Sequence, residues 1–255
     1  MAISFLASGT STGASTSPIA PDYPAGTAAG DYIICTAAIK YSTCGISTPS
    51  GFEYLADGQG GLGSDGSDMQ GTVRVYAFGR VADGSESGTF NVARSGGTLS
   101  VMWARTATFR NATGLWDVVG GTTAADNSAG TSVSFTYDID PGFVADDWGV
   151  TCWAVNTSAY TVSTHAMSAA GLSGITSASP LSDAVVIGTK LRAGLTRHAI
   201  GSGTSSGVAT YTHTASGNNS VAPTGGSVLI RLREIPASGT ALPIFMHNYR
   251  QRRSA

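Results

Sequence analysis

Gly203-Thr-Ser205-Ser-Gly207 has the G-x-S-x-G spacing of a nucleophile elbow. That motif needs a strand before it and a helix after it, so that a strained turn exposes the serine for acyl transfer. Here Ala209-Thr-Tyr-Thr-His213 follows, a strand-like run, and a chain with 34 glycines and 32 serines produces this spacing by composition alone. His165, His198, His213 and His247 show neither H-x-x-H nor H-E-x-x-H spacing and outline no metal site. Asp138 and Asp140, with Asp146 and Asp147 nearby, could gather oxygen ligands for calcium, as could Asp57, Asp65 and Asp68. Neither group follows an EF-hand or nonapeptide pattern, so solvated loops are the simpler reading. Trp103, Trp116, Trp148 and Trp153 could line a sugar-binding face, although tryptophan on strands is more often core. No Walker loop, dinucleotide-binding glycine pattern or RNA-binding aromatic motif is present. The expectation is a protein without catalytic residues, metal or cofactor.

The elements that would position any site are strands. Apolar residues make up 42% of the 255 positions, enough for a core, whereas charged residues are scarce at 12%. With 32 Ser, 30 Thr and 34 Gly, the polar surface is mostly hydroxyl and backbone. Short alternating runs bounded by Gly, Pro, Ser or Asp read as strands over 31–39, 71–81, 87–92, 99–109, 132–137, 148–155, 184–191, 207–214 and 227–235. Residues 57–70, rich in Gly and Asp, read as a surface loop. Strands at this density without helical crossovers predict an all-β fold, an antiparallel sandwich or jelly roll.

An offset of 117 residues superimposes Pro24 on Pro141, Cys35 on Cys152 and Arg80-x-Ala82-x-Gly84-Ser85 on Arg197-x-Ala199-x-Gly201-Ser202. Eleven identities fall within the 62 positions from 24 to 85. Two similar β-sandwich halves are therefore expected, 1–113 and 114–235, either fused or separable, followed by an extended C-terminal arm at 236–255. Cys35 and Cys152 should sit at equivalent, buried, unpaired positions. Three cysteines cannot all pair internally, and no C-x-x-C is present.

Net charge is −2 overall but unevenly spread: −2 over residues 1–110, −7 over 111–189 and +7 over 190–255. That balance argues against direct nucleic-acid binding. The opposite blocks can pair inside one subunit or head-to-tail between subunits of a homo-oligomer. The N-terminus lacks a basic n-region, and no apolar run approaches the roughly 20 residues of a membrane helix, so a cytosolic origin without membrane contact is expected. In the arm, Leu242, Ile244, Phe245 and Met246 offer apolar anchors. Tyr249, Arg250, Arg252 and Arg253 add an aromatic ring and three forked cations, with no acid among them. These eight residues form the candidate partner-binding set.

Pro24-Ala-Gly-Thr-Ala-Ala-Gly-Asp31, Thr48-Pro-Ser-Gly-Phe-Glu-Tyr-Leu55 and Arg80-Val-Ala-Asp-Gly-Ser-Glu-Ser-Gly88 resemble β-rich virion proteins of tailed phages and prophages. In that family a P-x-G-x-x-A-G-D turn leads into a hydrophobic strand, T-P-S-G-W precedes the next, and V-A-D-G-S-E-x-G joins two later strands. Phe52 stands here in place of the usual Trp. The resemblance covers much of residues 20–110 and, more weakly, 134–234. It implies a structural role as a capsid decoration, head-fibre or tail-associated protein, and it carries over no catalytic residue. The expected function is thus a capsid decoration or cement protein on the outer head surface of a virion, bound to the major capsid protein or another virion protein. The alternative is a tail- or head-fibre module that binds a host surface glycan.

Overall fold

The computed structural model describes residues 3–40, 44–61, 72–97, 101–127, 132–137, 140–157, 162–185, 191–215 and 224–237. Among them there is no helix. The first half contains β1 (Ser4–Ser8), β2 (Thr12–Ala14), β3 (Tyr32–Lys40), β4 (Gly45–Ile46), β5 (Glu53–Gly60), β6 (Val73–Val81), β7 (Arg94–Ser95) and β8 (Val101–Arg110). The second contains β9 (Trp116–Asp126), β10 (Ser132–Thr136), β11 (Trp148–Val155), β12 (Val162–Ala169), β13 (Leu172–Ser173), β14 (Thr176–Ser177), β15 (Leu181–Val185), β16 (Leu191–Ala199), β17 (Ser202–Gly203), β18 (Ala209–Ala215) and β19 (Gly225–Glu234).

Both halves pair their strands in the same antiparallel order. The large sheet of the first runs β1-β8-β3-β6-β5, and that of the second runs β9-β19-β11-β16, with β14 and β15 both on β16 in the place of β5. Each half adds a smaller outer layer. In the first it is the short β4–β7 pair with bridges Ile19↔Val92 and Asp22↔Thr89; in the second it is the three-stranded sheet β10-β18-β12. The chain is thus all-β, two antiparallel sandwiches of matching topology.

The two large sheets also pack on each other, which fuses the halves into four layers with three apolar cores. The central core, between the large sheets, includes Ile34, Trp103, Phe109, Val150, Leu195 and Ile230. Ile33, Cys35, Phe78 and Met102 fill the first sandwich, and Phe135, Trp153, Tyr211 and Leu229 fill the second. This explains why Tyr32–Lys40 is buried at every position: odd residues face one core and even residues the other, so alternation gives way to a continuous apolar run. On the outer sheet of the second half, Ser132 with Thr214 and Ser134 with Thr212 form hydroxyl pairs at 3.1 Å, which accounts for part of the Ser/Thr excess.

The repeat does not run at a fixed offset of 117. Matching the strands by their pairing partners and hydrogen bonds puts Asp31 on Asp147 (116 residues), Ala82 on Ile200 (118) and Arg110 on Arg233 (123). A one-residue slip turns a strand over. Cys35 therefore faces the first sandwich, whereas Cys152 faces the central core, and the true counterpart of Cys152 is Thr36. All three cysteines are buried and unpaired, but Cys35 and Cys152 are not equivalent. Two further expectations are corrected. Asp57–Gly60 belongs to strand β5 rather than to a loop, held by Asp57 pairing with Tyr76 and Gly60 with Val73. Residues 87–92 make only two isolated bridges, and the ladder begins at Arg94.

Candidate functional site

The elbow-like motif does not have the strand–turn–helix geometry of an elbow. Ser205 is 7% exposed, its hydroxyl donates to Asp140 Oδ1, and the motif lies between strands β17 and β18 with no helix after it. His198 is held between hydroxyls, with Nδ1 2.8 Å from Ser177 Oγ and Nε2 2.9 Å from Thr151 Oγ1. This constellation looks like a relay, yet burial, with His165 nearby, lowers the His198 pKa to about 3. Burial disfavours the protonated imidazole and so makes it a weak proton acceptor. His213 has its pKa lowered to about 3 for the same reasons, and lies among the rings of Trp153, Tyr211 and Phe135. Both are core residues of the second sandwich.

The aspartates divide in a similar way. Asp57 pairs with Arg74 at 2.8 Å, and Asp140 accepts from Gly142 N as well as from Ser205. Asp146 takes the left-handed conformation, φ 70°, in the turn before β11. Asp65, Asp68, Asp138 and His247 lie outside the described residues, and no group of three metal-ligating side chains occurs among those described. Trp103 and Trp153 are buried, and Trp116 and Trp148, partly buried, pack against the central core.

Asp31 and Asp147 carry the most ordered polar feature. Arg110, at the end of β8, grips Asp31 with Nε and Nη2, both at 2.7 Å, and donates from Nη2 to the Gly26 carbonyl at 3.1 Å. Arg233, near the end of β19, grips Asp147 at 2.8 and 2.7 Å and reaches the Gly142 carbonyl at 2.7 Å. Each carboxylate also accepts the backbone N–H three residues upstream, from Ala28 or Val144. Gly26 and Gly142 both have positive φ, 77° and 70°, which lets the turn present its carbonyl to the arginine. The signal readable in the chain is G-x-x-A-x-D, at Gly26–Asp31 and again at Gly142–Asp147. An offset of 117 hides it and an offset of 116 reveals it.

The other turns that carry the family resemblance are similarly self-contained. In Asp83–Glu86, the N–H groups of Asp83 and Gly84 donate to Glu86, and Ser85 N–H donates to Asp83. Arg80 closes the turn on Glu86 at 2.6 Å and lies over the rings of Tyr23 and Phe52. These contacts brace the turn from within.

The opposite charge blocks meet inside the subunit: Arg231 with Asp117 at 2.5 Å and Arg233 with Asp147 at 2.7 Å. The expected partner-binding residues Leu242, Ile244, Phe245, Met246, Tyr249, Arg250, Arg252 and Arg253 lie outside the described residues. The root of that segment is well defined. Ile235 N–H donates to the Leu115 carbonyl at 3.1 Å, and Thr113 Oγ1 donates to the Ile235 carbonyl at 2.9 Å. Glu234 Oε1 accepts from Ala112 and Thr113 N–H, both at 3.1 Å. The last strand is thus tied to the linker between the halves, beside Leu115, which is 52% exposed.

One open cleft of about 270 Å³ lies on the first half, lined by Ser8, Gly9, Thr10, Asp22, Tyr23, Ala25 and Gly88. Compared with known protein families, curated proteins and solved structures, the chain matches none. The resemblance to phage virion proteins therefore rests on the turn motifs alone.

Proposed function

We propose that this chain is a non-enzymatic structural protein of a tailed-phage virion, a capsid decoration or cement protein on the outer head surface, attached through residues 236–255. The observation that carries the reading is the anchored root of the arm at Leu115, Thr113 and Glu234. A segment that carries an apolar run over residues 242–246 and then Arg250, Arg252 and Arg253, joined to the four-layer body at a fixed point, is suited to reach a neighbour. Charge supports this. Three of the 14 basic side chains and none of the 16 acidic ones lie beyond residue 237, which leaves the rest of the chain at −5 against an arm of +3. With the Arg231 and Arg233 charges already met at home, Arg250, Arg252 and Arg253 are the cations proposed to meet an acidic partner, either a sister copy or the shell protein.

The test is a chain ended after Ala237, mixed with particles made in its absence. The truncated protein should fold as the full chain does, judged by circular dichroism and melting, and should fail to join the particles. Full occupancy by the truncated chain would remove the docking role.

A further inference from the structure

The cleft on the first half has the chemistry of a small recognition site. Its walls come from the end of β1 and the turn after it (Ser8, Gly9, Thr10) and from the segment before β3 (Asp22, Tyr23, Ala25). Gly9 N–H donates to the Thr106 carbonyl at 3.1 Å, and Thr106 Oγ1 donates to the Asp22 carbonyl at 2.6 Å. A Cβ at Gly9 would run into that same carbonyl, so the walls stand as close as a glycine permits. Asp22 is further fixed by its bridge to Thr89, and Tyr23 N–H donates to the Gly88 carbonyl at 2.9 Å. The site is preformed, which lowers the entropy lost on binding.

Two side chains in it are poised for a ligand. Tyr23 is backed by Phe90, with ring centroids 4.7 Å apart, and its hydroxyl accepts from Arg80 Nη1 at 3.4 Å. Its position is therefore set before any ligand arrives. The Asp22 carboxylate, half-buried, is engaged in no hydrogen bond or ion pair among the described residues, although its carbonyl accepts from Thr106. The Ser8 and Thr10 hydroxyls complete the lining, and Ser8 Oγ accepts from Arg105 Nη2 at 3.3 Å.

We infer that this cleft binds a neutral saccharide unit, with Asp22 accepting from ring hydroxyls, Tyr23 packing against the C–H face of the ring, and Ser8 and Thr10 adding hydroxyl contacts. The volume lies just under the roughly 300–1,000 Å³ range of drug-sized pockets and suits one or two sugar rings. Arg80 behind Tyr23 and Arg105 at Ser8 are already paired, with Glu86 at 2.6 Å and Asp183 at 3.1 Å, which leaves the Asp22 carboxylate to accept from ligand hydroxyls. The site is independent of the arm, so it stands or falls apart from the proposed attachment to a particle.

The test is saturation-transfer NMR on the full chain with the methyl glycosides of glucose, galactose, mannose, rhamnose and N-acetylglucosamine. At least one should receive saturation. Ala25→Trp, an exposed position whose larger side chain fills the cleft, should abolish it, as should Tyr23→Ala. Asp22→Asn should weaken binding at least about tenfold. Tyr23→Phe should retain it, because the proposed contact is made by the ring and the hydroxyl is engaged with Arg80. Unchanged melting temperatures for Ala25→Trp and Asp22→Asn show that the fold is kept. No transfer to any sugar would overturn the assignment, as would transfer that survives Ala25→Trp, or binding of tetramethylammonium in place of the sugars.

Discussion

Thr36 Oγ1 donates a hydrogen bond to Cys152 Sγ at 2.9 Å, and the two residues are each other's counterparts in the two halves. Four residues on, Lys40 Nζ donates to the carbonyl of its own counterpart, Asn156, at 2.9 Å. Counterparts that touch mark a local two-fold axis running between β3 and β11, with the two large sheets packed across it. The large sheets have kept their strand order across this axis, whereas the outer layers have diverged, two short strands on one side and three long ones on the other.

The paired clasps should be the polar elements most costly to lose. Asp31→Asn or Asp147→Asn removes the charge that two guanidinium nitrogens and a backbone N–H converge on, and should cost about 2–4 kcal/mol in chemical denaturation. The Arg233 side chain is 29% exposed and that of Arg110 is 43%, so solvent screens the second half's clasp less. Asp147→Asn should therefore be the more damaging of the two. Equal, negligible losses would show the clasps to be ornamental.

Acid should weaken the second sandwich. Burial lowers the His198 and His213 pKa values from 6.5 to about 3, so the unfolded chain takes up protons that the folded chain refuses. Their contribution is intact above pH 6.5 and is lost as pH falls toward 3, at about 1.4 kcal/mol per pH unit for each histidine. Unfolding free energies measured from pH 7 to pH 4 should show this slope. His213→Phe, which keeps an aromatic ring against Trp153, should remove about half of it; a pH profile unaltered by that variant would contradict the assignment.

The thiols should be inert while the protein is folded. Burial pushes Cys152 up to about 12, partly offset by the hydrogen bond from Thr36, and raises Cys35 further. Cys44 is buried as well. Thiol titration of the native protein should find none of the three, and titration in denaturant should find all three. Rapid native labelling would mean that the cores open far more readily than their packing implies.

The seam between the sheets depends on glycine. A Cβ at Gly60 would meet the Gly225 carbonyl, and one at Gly58 would meet the Ser227 carbonyl, so β5 reaches β19 only where side chains are missing. Gly58→Ala and Gly60→Ala should each cost about 1–3 kcal/mol by forcing the backbones apart. Gly26→Ala, where open space surrounds the new methyl, should cost only the left-handed backbone penalty of about 1 kcal/mol. Thermal melts ranked otherwise would argue against this close approach.

Much of this architecture is written in the chain as alternation and turn chemistry. Trp148–Val155 and Val73–Val81 are legible because both of their faces meet apolar layers. β5 and β9 are not, because Asp57-Gly-Gln-Gly and Val119-Gly-Gly-Thr carry glycines demanded by close backbone approach and not by turns. The duplication is legible, but its register is not. Identity matching rewards Cys35 on Cys152, whereas the pleat requires Thr36 on Cys152, and only hydrogen-bond partners distinguish the two. The cleft escapes sequence reading because Ser8, Asp22 and Gly88 lie far apart in the chain and meet through the hydrogen bonds of Gly9 with Thr106, Thr106 with Asp22 and Tyr23 with Gly88.

The central claim is that this chain clothes a virion head, and the direct measurement is an image reconstruction of purified particles that carry it. The outer head surface should show repeated four-layer density into which the double sandwich fits, with the Leu115 and Ile235 root turned toward the shell and continuous density leaving it. Particles that lack the protein, or that carry it only inside the head, would contradict the account.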